Sequence, residues 1–230
     1  MTTVKEIIKT LESFARPENL DGMARFAIVG DKRMGVSMPN VRKIAKGIGK
    51  NHQLARELWR TGIPECMIVA GLIGEPDKLT EKQMEKWVQD FNSWDVCDQV
   101  CGNLFDKSPF VLNKIHEWSD RVEEFVKRAA FVLIAITAVH NKTANDKYFI
   151  DFFPLLIKGS TDERNFVRKA VNWAIRSIGK KNLNLNNEAI NLSNKISQIE
   201  SKSAHWIAAD AIRELKSEAV QKRLNKKSFQ

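Results

Sequence analysis

The sequence predicts an all-α fold of antiparallel helix pairs stacked into a curved solenoid. Three observations predict it. Apolar residues recur at helical spacing along the whole chain, with no Asn-Gly hairpin turn and no clean alternating run. Breakers separate the periodic segments, at Arg16-Pro17, Met38-Pro39, Gly62-Ile63-Pro64, Gly74-Glu75-Pro76, Ser108-Pro109, Lys158-Gly159 and Gly179. The connections are short, so neighbouring helices return on each other as hairpins. Finally, Phe125-Val-Lys-Arg-Ala-Ala130 returns as Phe166-Val-Arg-Lys-Ala-Val171, 41 residues later, and Ala174-Ile-Arg176 is echoed by Ala211-Ile-Arg213. A period of about 40 residues is that of HEAT or armadillo helix pairs, which stack with a concave binding face.

The elements follow in order. Val4, Ile7, Ile8 and Leu11 open the chain at helical spacing. A helix begins after Pro39. Thr80 caps another, with Gln83 three residues on completing a capping box, and Met84, Trp87 and Val88 form its apolar side. Ser93 caps the next, whose core stripe is Cys97, Val100, Cys101, Leu104 and Phe105. The stretch Phe125 to Val139, broken by Lys127 and Arg128, is apolar nearly all round and belongs in the middle of the stack. Asp162 caps a helix running through Phe166, Ala170, Trp173 and Ile178. The pattern gives roughly eleven to thirteen helices. Residues 1–230 read as a single domain, with a basic tail, about 218–230, that frays.

Composition excludes several functions. No apolar run approaches the length of about 18 residues that a membrane span needs. The N-terminus lacks the apolar core of a signal peptide, so the expected compartment is the cytosol. Cys97 and Cys101, four apart on a helical pattern, are expected as small buried residues rather than a disulfide. His52, His116, His140 and His205 are scattered, so no metal is expected. No Gly-rich phosphate loop is present, which argues against phosphoryl transfer, and no cofactor is expected. The net charge of +9 instead favours a polyanionic partner.

Four regions carry candidate chemistry. On a helix starting at Ser93, Trp94 and Asp98 are neighbours one turn apart, with Asp95 also off the core stripe. They are either a core-flanking ring and a solvated carboxylate favoured by the helix dipole, or an aromatic–carboxylate site. Arg128, with Lys127, lies in the first turns of an apolar helix. It is either a surface arginine or a phosphate contact at a groove rim. Trp173 shares a helical side with Lys169 and Arg176, amid Arg168, Lys180 and Lys181. That is either plain core or the interleaving of charge and ring that suits nucleic acid. Arg42 and Lys43 lie near a helix N-terminus whose free amides suit a phosphate.

In this order, Met34-Gly-Val-Ser-Met-Pro-Asn-Val-Arg-Lys43, Ser93-Trp-Asp-Val-Cys-Asp98, Phe125-Val-Lys-Arg-Ala-Ala130 and Phe166-Val-Arg-Lys-Ala-Val-Asn-Trp-Ala-Ile-Arg176 resemble the AlkD-like DNA alkylation repair glycosylases. The resemblance spans nearly the whole chain. It implies a HEAT-like solenoid holding duplex DNA with alkylated bases, and removal of N3- and N7-alkylated purines while the base stays stacked. By position it makes Asp98 the catalytic carboxylate. It makes Trp94 and Trp173 the pair that contacts the lesion's deoxyribose, Arg128 the pocket arginine and Arg176 a backbone contact. The chain departs in carrying Asn92-Ser93 before Trp94, where some relatives have an extra tryptophan. The expected state is a monomer with no metal and no membrane partner. The competing readings are a non-catalytic DNA-structure binder on the same scaffold and a HEAT-like protein–protein scaffold.

Overall fold

The computed structural model describes residues 2–28 and 32–227. Its regular elements are all helices, with no strand among the described residues. They gather into two compact units, Met1–Val111 and Leu112–Gln230.

The first unit carries α1 (Val4–Ser13), α2 (Glu18–Arg25), α3 (Met38–Ile48), α4 (His52–Trp59), α5 (Pro64–Ile73), α6 (Glu81–Gln89) and α7 (Trp94–Asn103), with 3-10 turns at Pro76–Lys78 and Phe105–Lys107. Thr3 opens α1 with a complete capping box to Glu6. Helix α5 is apolar around its circumference, and α3, α4 and α7 pack against it. Gly71 allows the α5–α7 approach, since a Cβ there would lie 3.1 Å from Val100 Cγ2. Cys97, Val100 and Cys101 are buried on α7 as expected, and none of Cys66, Cys97 and Cys101 forms a disulfide.

The second unit carries α8 (Val111–Ser119), α9 (Glu124–His140), α10 (Asp146–Ile150), α11 (Phe153–Gly159), α12 (Asn165–Gly179), α13 (Leu183–Ile196), α14 (Lys202–Leu215) and α15 (Glu218–Lys227). The apolar α9 packs along α12, which also packs on α13 and α14. The echoed segments occupy equivalent places, because Phe125 and Phe166 are each the second residue of their helix. Their rings meet at 5.3 Å between centroids. Hydrogen bonds repeat the register: Arg128 to Phe166, Asn172 to Asp210, Arg176 to Glu214 and Ser201 to Glu163 each span 38 residues. These are the lateral contacts of stacked helix pairs.

Several expectations need correction. Thr80 does cap α6, but the Gln83 side chain turns to His52 instead of closing the box. Helix α3 starts at Met38, with Pro39 already inside its first turn. Asp162 does not cap α12. Arg164 occupies that position, and Asp162 accepts from the Arg164 backbone N–H and guanidinium. The tail expected to fray from about 218 continues as α15 to Lys227, anchored by the buried Val220 and Leu224. Residues 228–230 lie outside the described residues.

Candidate nucleic-acid interface

The start of α7 is built from three separate stretches of the first unit. Ser93 has the extended backbone of an N-cap, yet its hydroxyl does not cap. It accepts from Arg33 Nη2 at 3.1 Å instead. Asp95, in the first turn, takes Arg33 through two bonds, at 2.8 and 2.9 Å. The chain around Arg33 is fixed in turn. Buried Glu65 accepts the N–H groups of Met34 and Gly35 at 3.0 and 3.1 Å. Gly35 has φ +73°, and a Cβ there would meet the Arg16 carbonyl oxygen at 2.3 Å, so the close turn requires glycine. The Trp94 indole N–H donates to the Phe26 carbonyl at 2.8 Å.

Trp94 and Asp98 are therefore one turn apart on a helix whose first turn is locked, and both are half-buried. Asp98 acts on its surroundings. Burial pushes the Cys101 thiol well above its ordinary value, contact with Cys97 adds to this, and the Asp98 charge adds further. Arg42 reaches α7, with Nη2 donating to Gln99 Oε1 at 3.4 Å. Lys43 goes elsewhere, its ammonium 6.0 Å from the Phe14 ring centroid.

The second unit holds the remaining candidates. Arg128, weighed as a surface or groove-rim residue, is only 5% exposed. Its Nη1 donates to the Phe166 carbonyl at 2.6 Å, which ties α9 to the first turn of α12. Lys127 lies 3.4 Å from Asp162. Burial raises the Asp162 carboxyl, but the bonds from Arg164 and the charge of Lys127 outweigh it and hold it below its ordinary value. Trp173 is half-buried and lines a cavity of about 480 Å³ together with Lys142, Lys180, Lys181 and Arg223. Lys181 donates to the Asn141 carbonyl at 2.6 Å, and Arg223 to the Lys180 carbonyl at 3.0 Å.

The predicted phosphate contacts differ in how committed they are. Arg176 pairs with Glu214 and lies 3.8 Å from Asp210, and Lys180 also pairs with Glu214. Burial pushes Glu214 up, but bonds from Lys180 and Arg176 bring it below its ordinary value. Arg168 lies over the Trp206 ring at 5.1 Å. Lys169 is exposed and makes no ion pair among the described residues. Arg42 thus reaches the helix that carries Trp94 and Asp98 in the first unit, and Trp173 lies among cations in the second.

Sequence reasoning gave no role to Arg33, Lys142, Arg223, Asp210 or Glu214. For the two acids a signal existed. Asp210 and Glu214 are four apart, as are Asn172 and Arg176, and the helix-pair register lays one set over the other. No comparable pattern marks Arg33, whose partner is 62 residues away.

Among the described residues no three His, Cys, Asp or Glu side chains come together to hold a metal, and no helix is long and apolar enough to cross a membrane. A family model described as DNA alkylation repair enzyme matches residues 7–215. No curated protein matches the chain. One solved structure, described as a new family of proteins related to the HEAT-like repeat DNA glycosylases with affinity for branched DNA structures, superposes with a TM-score of 0.79 at 18% identity. It covers 97% of this chain and 96% of its own. At that identity the likeness is one of fold. A designed armadillo repeat protein in complex with a (KR)4 peptide reaches a TM-score of 0.37 at 15% identity, covering 94% of this chain and 96% of its own.

Proposed function

Because the chain belongs to the DNA alkylation repair enzyme family, we propose that it is a monofunctional DNA glycosylase that hydrolyses the N-glycosidic bond of N3- and N7-alkylated purines in duplex DNA. One observation carries the reading: Trp94 and Asp98 stand one turn apart, half-buried, on a helix start fixed by Arg33. An alkylated purine is cationic and leaves without help from an acid. Cleavage builds positive charge on the sugar, as in glycoside hydrolysis. The Asp98 carboxylate stabilises that charge and orients the attacking water. The face of Trp94 adds cation–π attraction to the lesion and the developing oxocarbenium ion, and Trp173 offers DNA a further aromatic face in the second unit. These interactions strengthen towards the transition state, which is what raises the rate. Arg128 serves as a positioning residue, since it holds the start of the helix that bears Trp173. Lys169, Lys142 and Arg42 supply charge for phosphates.

The test is base release from a duplex carrying one 7-methylguanine, with wild type beside Asp98→Asn. Free 7-methylguanine from wild type alone is expected, with DNA binding retained in the variant. Full activity in Asp98→Asn removes the carboxylate from the mechanism. A second reading, a non-catalytic DNA-structure binder, is favoured by the branched-DNA affinity ascribed to the structural relative. It takes over if neither protein releases any alkylated base while both bind DNA with steep salt dependence.

A further inference from the structure

The first unit has a second basic surface that the glycosylase reading does not use. Helices α4 and α6, with the Pro76–Lys78 turn, wall a pocket of about 320 Å³. Arg56, Arg60, Lys78, Lys82 and Lys86 line it. Lys78 is neutralised by Glu75 at 2.7 Å, whereas the other four make no ion pair among the described residues. Arg56 and Arg60 are four residues apart, as are Lys82 and Lys86. Lys82 and Lys86 are thus about 6 Å apart along α6, and Arg60 continues the Arg56 side of α4 at its C-cap. Charges set out in two rows suit a chain of phosphates better than one small anion.

The pocket floor points the same way. Trp59 and Trp87 stack on each other at 4.0 Å with planes 1° apart, and each is only 4% exposed. Their faces satisfy one another, so the pocket offers charge rather than a stacking platform for a base.

The polar groups beneath the cations are held in place. The Glu75 backbone N–H donates to His52 Nδ1 at 3.3 Å, so that nitrogen is bare and the proton sits on Nε2. His52 Nε2 lies 3.0 Å from Gln83 Oε1 and donates to it, which fixes the orientation of the amide. Gln83 Nε2 is then left buried, without an acceptor among the described residues, in a pocket-lining side chain. Gln83 Nε2 is closed off from the pocket, so the pocket presents its cations, and not this amide, to an anion.

We propose that this α4–α6 pocket is a second nucleic-acid site that grips the phosphodiester backbone of another duplex segment. None of its lining residues belongs to α3 or α7, which carry Arg42, Trp94 and Asp98. The proposal does not depend on catalysis and is read by binding alone. A short unmodified duplex is titrated, at several salt concentrations, into wild type, the triple variant Arg56→Gln/Lys82→Gln/Lys86→Gln, and Gln83→Glu. Wild type is expected to take up a second duplex after the first. The triple variant keeps the first with unchanged affinity and loses the second, whose salt slope in wild type exceeds the variant's residual binding by about 2 to 3. Gln83→Glu retains the acceptor for His52 and replaces the orphaned donor with a carboxylate. It is expected to weaken the second duplex about tenfold or more. Saturation of wild type by one duplex overturns the proposal. So does equal weakening of both duplexes in the triple variant, which makes the patch part of the main interface. Inorganic phosphate binding that the triple variant loses, while both duplexes still bind that variant, overturns it in favour of a small-anion site.

Discussion

Arg33 grips Asp95 through two near-parallel hydrogen bonds, Nη1 to Oδ2 at 2.8 Å and Nη2 to Oδ1 at 2.9 Å, across 62 residues of chain. The side chains are 3% and 15% exposed, so water does little to screen the pair. A buried pair of this kind is costly to break, because the survivor is left charged and unpaired. Arg33→Ala is expected to lose about 3–5 kcal/mol in urea denaturation. Arg33→Lys keeps the charge but loses the two-pronged geometry, so it should recover only part of that loss. The double variant Arg33→Ala/Asp95→Ala should be more stable than the sum of the single losses predicts. Simple additivity would mean the two residues do not act as a pair.

Trp94 contributes both a ring and a tethering N–H. Trp94→Phe keeps an aromatic face and drops the bond to the Phe26 carbonyl. Stability should fall by about 0.5–1.5 kcal/mol. Release of 7-methylguanine should fall less than in Trp94→Ala, where the face is lost too. Equal rates in the two variants would show that catalysis does not use the ring.

The three cysteines provide a probe of the fold that is independent of DNA. All are buried and none forms a disulfide. Burial pushes the Cys66 thiol up to about 11, with a bond to Thr61 offsetting part of the rise. Neither accessibility nor thiolate content favours reaction. No cysteine should react with a thiol reagent at pH 8 in the native protein, and all three should react in urea. A rapid native reaction at one site would mean that its helix contact opens locally.

The periodic features of the fold were legible in the sequence, and the pairings were not. The Phe125 and Phe166 segments could be matched because stacked helix pairs reuse the same apolar spacing, and their rings do meet. Ser93 could be placed at a helix start because extended backbone before an apolar stripe is a local property. Its hydroxyl could not be assigned, because Arg33 competes for it from a distant segment. Arg176 and Lys127 looked like open cations for the same reason. Each is neutralised by an acid 34 or more positions away, and local patterns carry no record of that. Burial of Arg128 was neither of its two readings, a surface arginine or a groove-rim phosphate contact. The guanidinium stays charged when buried and finds a partner in the Phe166 carbonyl, 38 residues away.

Glu214 makes stability depend on pH. Its folded pKa is lowered, so the stability it contributes is present above its ordinary value of 4.5 and is lost as pH falls through the folded value. Glu214→Gln should be less stable than wild type at pH 7, and the gap should close as the pH drops well below 4.5. The group is partly exposed, which keeps the effect modest. A gap that is constant from pH 7 to pH 3 would assign the loss to packing rather than charge.

Lys169 and Arg176 separate open charge from committed charge on one helix. Lys169 is exposed and makes no ion pair among the described residues, whereas Arg176 faces both Glu214 and Asp210. A cation that meets a phosphate displaces a condensed counterion, so removing it flattens the plot of log affinity against log salt by about 0.9. Lys169→Ala should show that full change. Arg176→Ala should show less, because Arg176 must give up its carboxylates to reach a phosphate. It should still weaken binding, since Glu214 and Asp210 then keep only Lys180 and Arg213 to offset their charge. Glu214→Gln should do the opposite and tighten binding, by releasing Arg176 and Lys180. Anisotropy titrations of the three variants over a range of salt concentrations decide the matter. An unchanged slope in Lys169→Ala would remove Lys169 from the interface, and an unchanged affinity in Glu214→Gln would remove the Arg176 cluster from it.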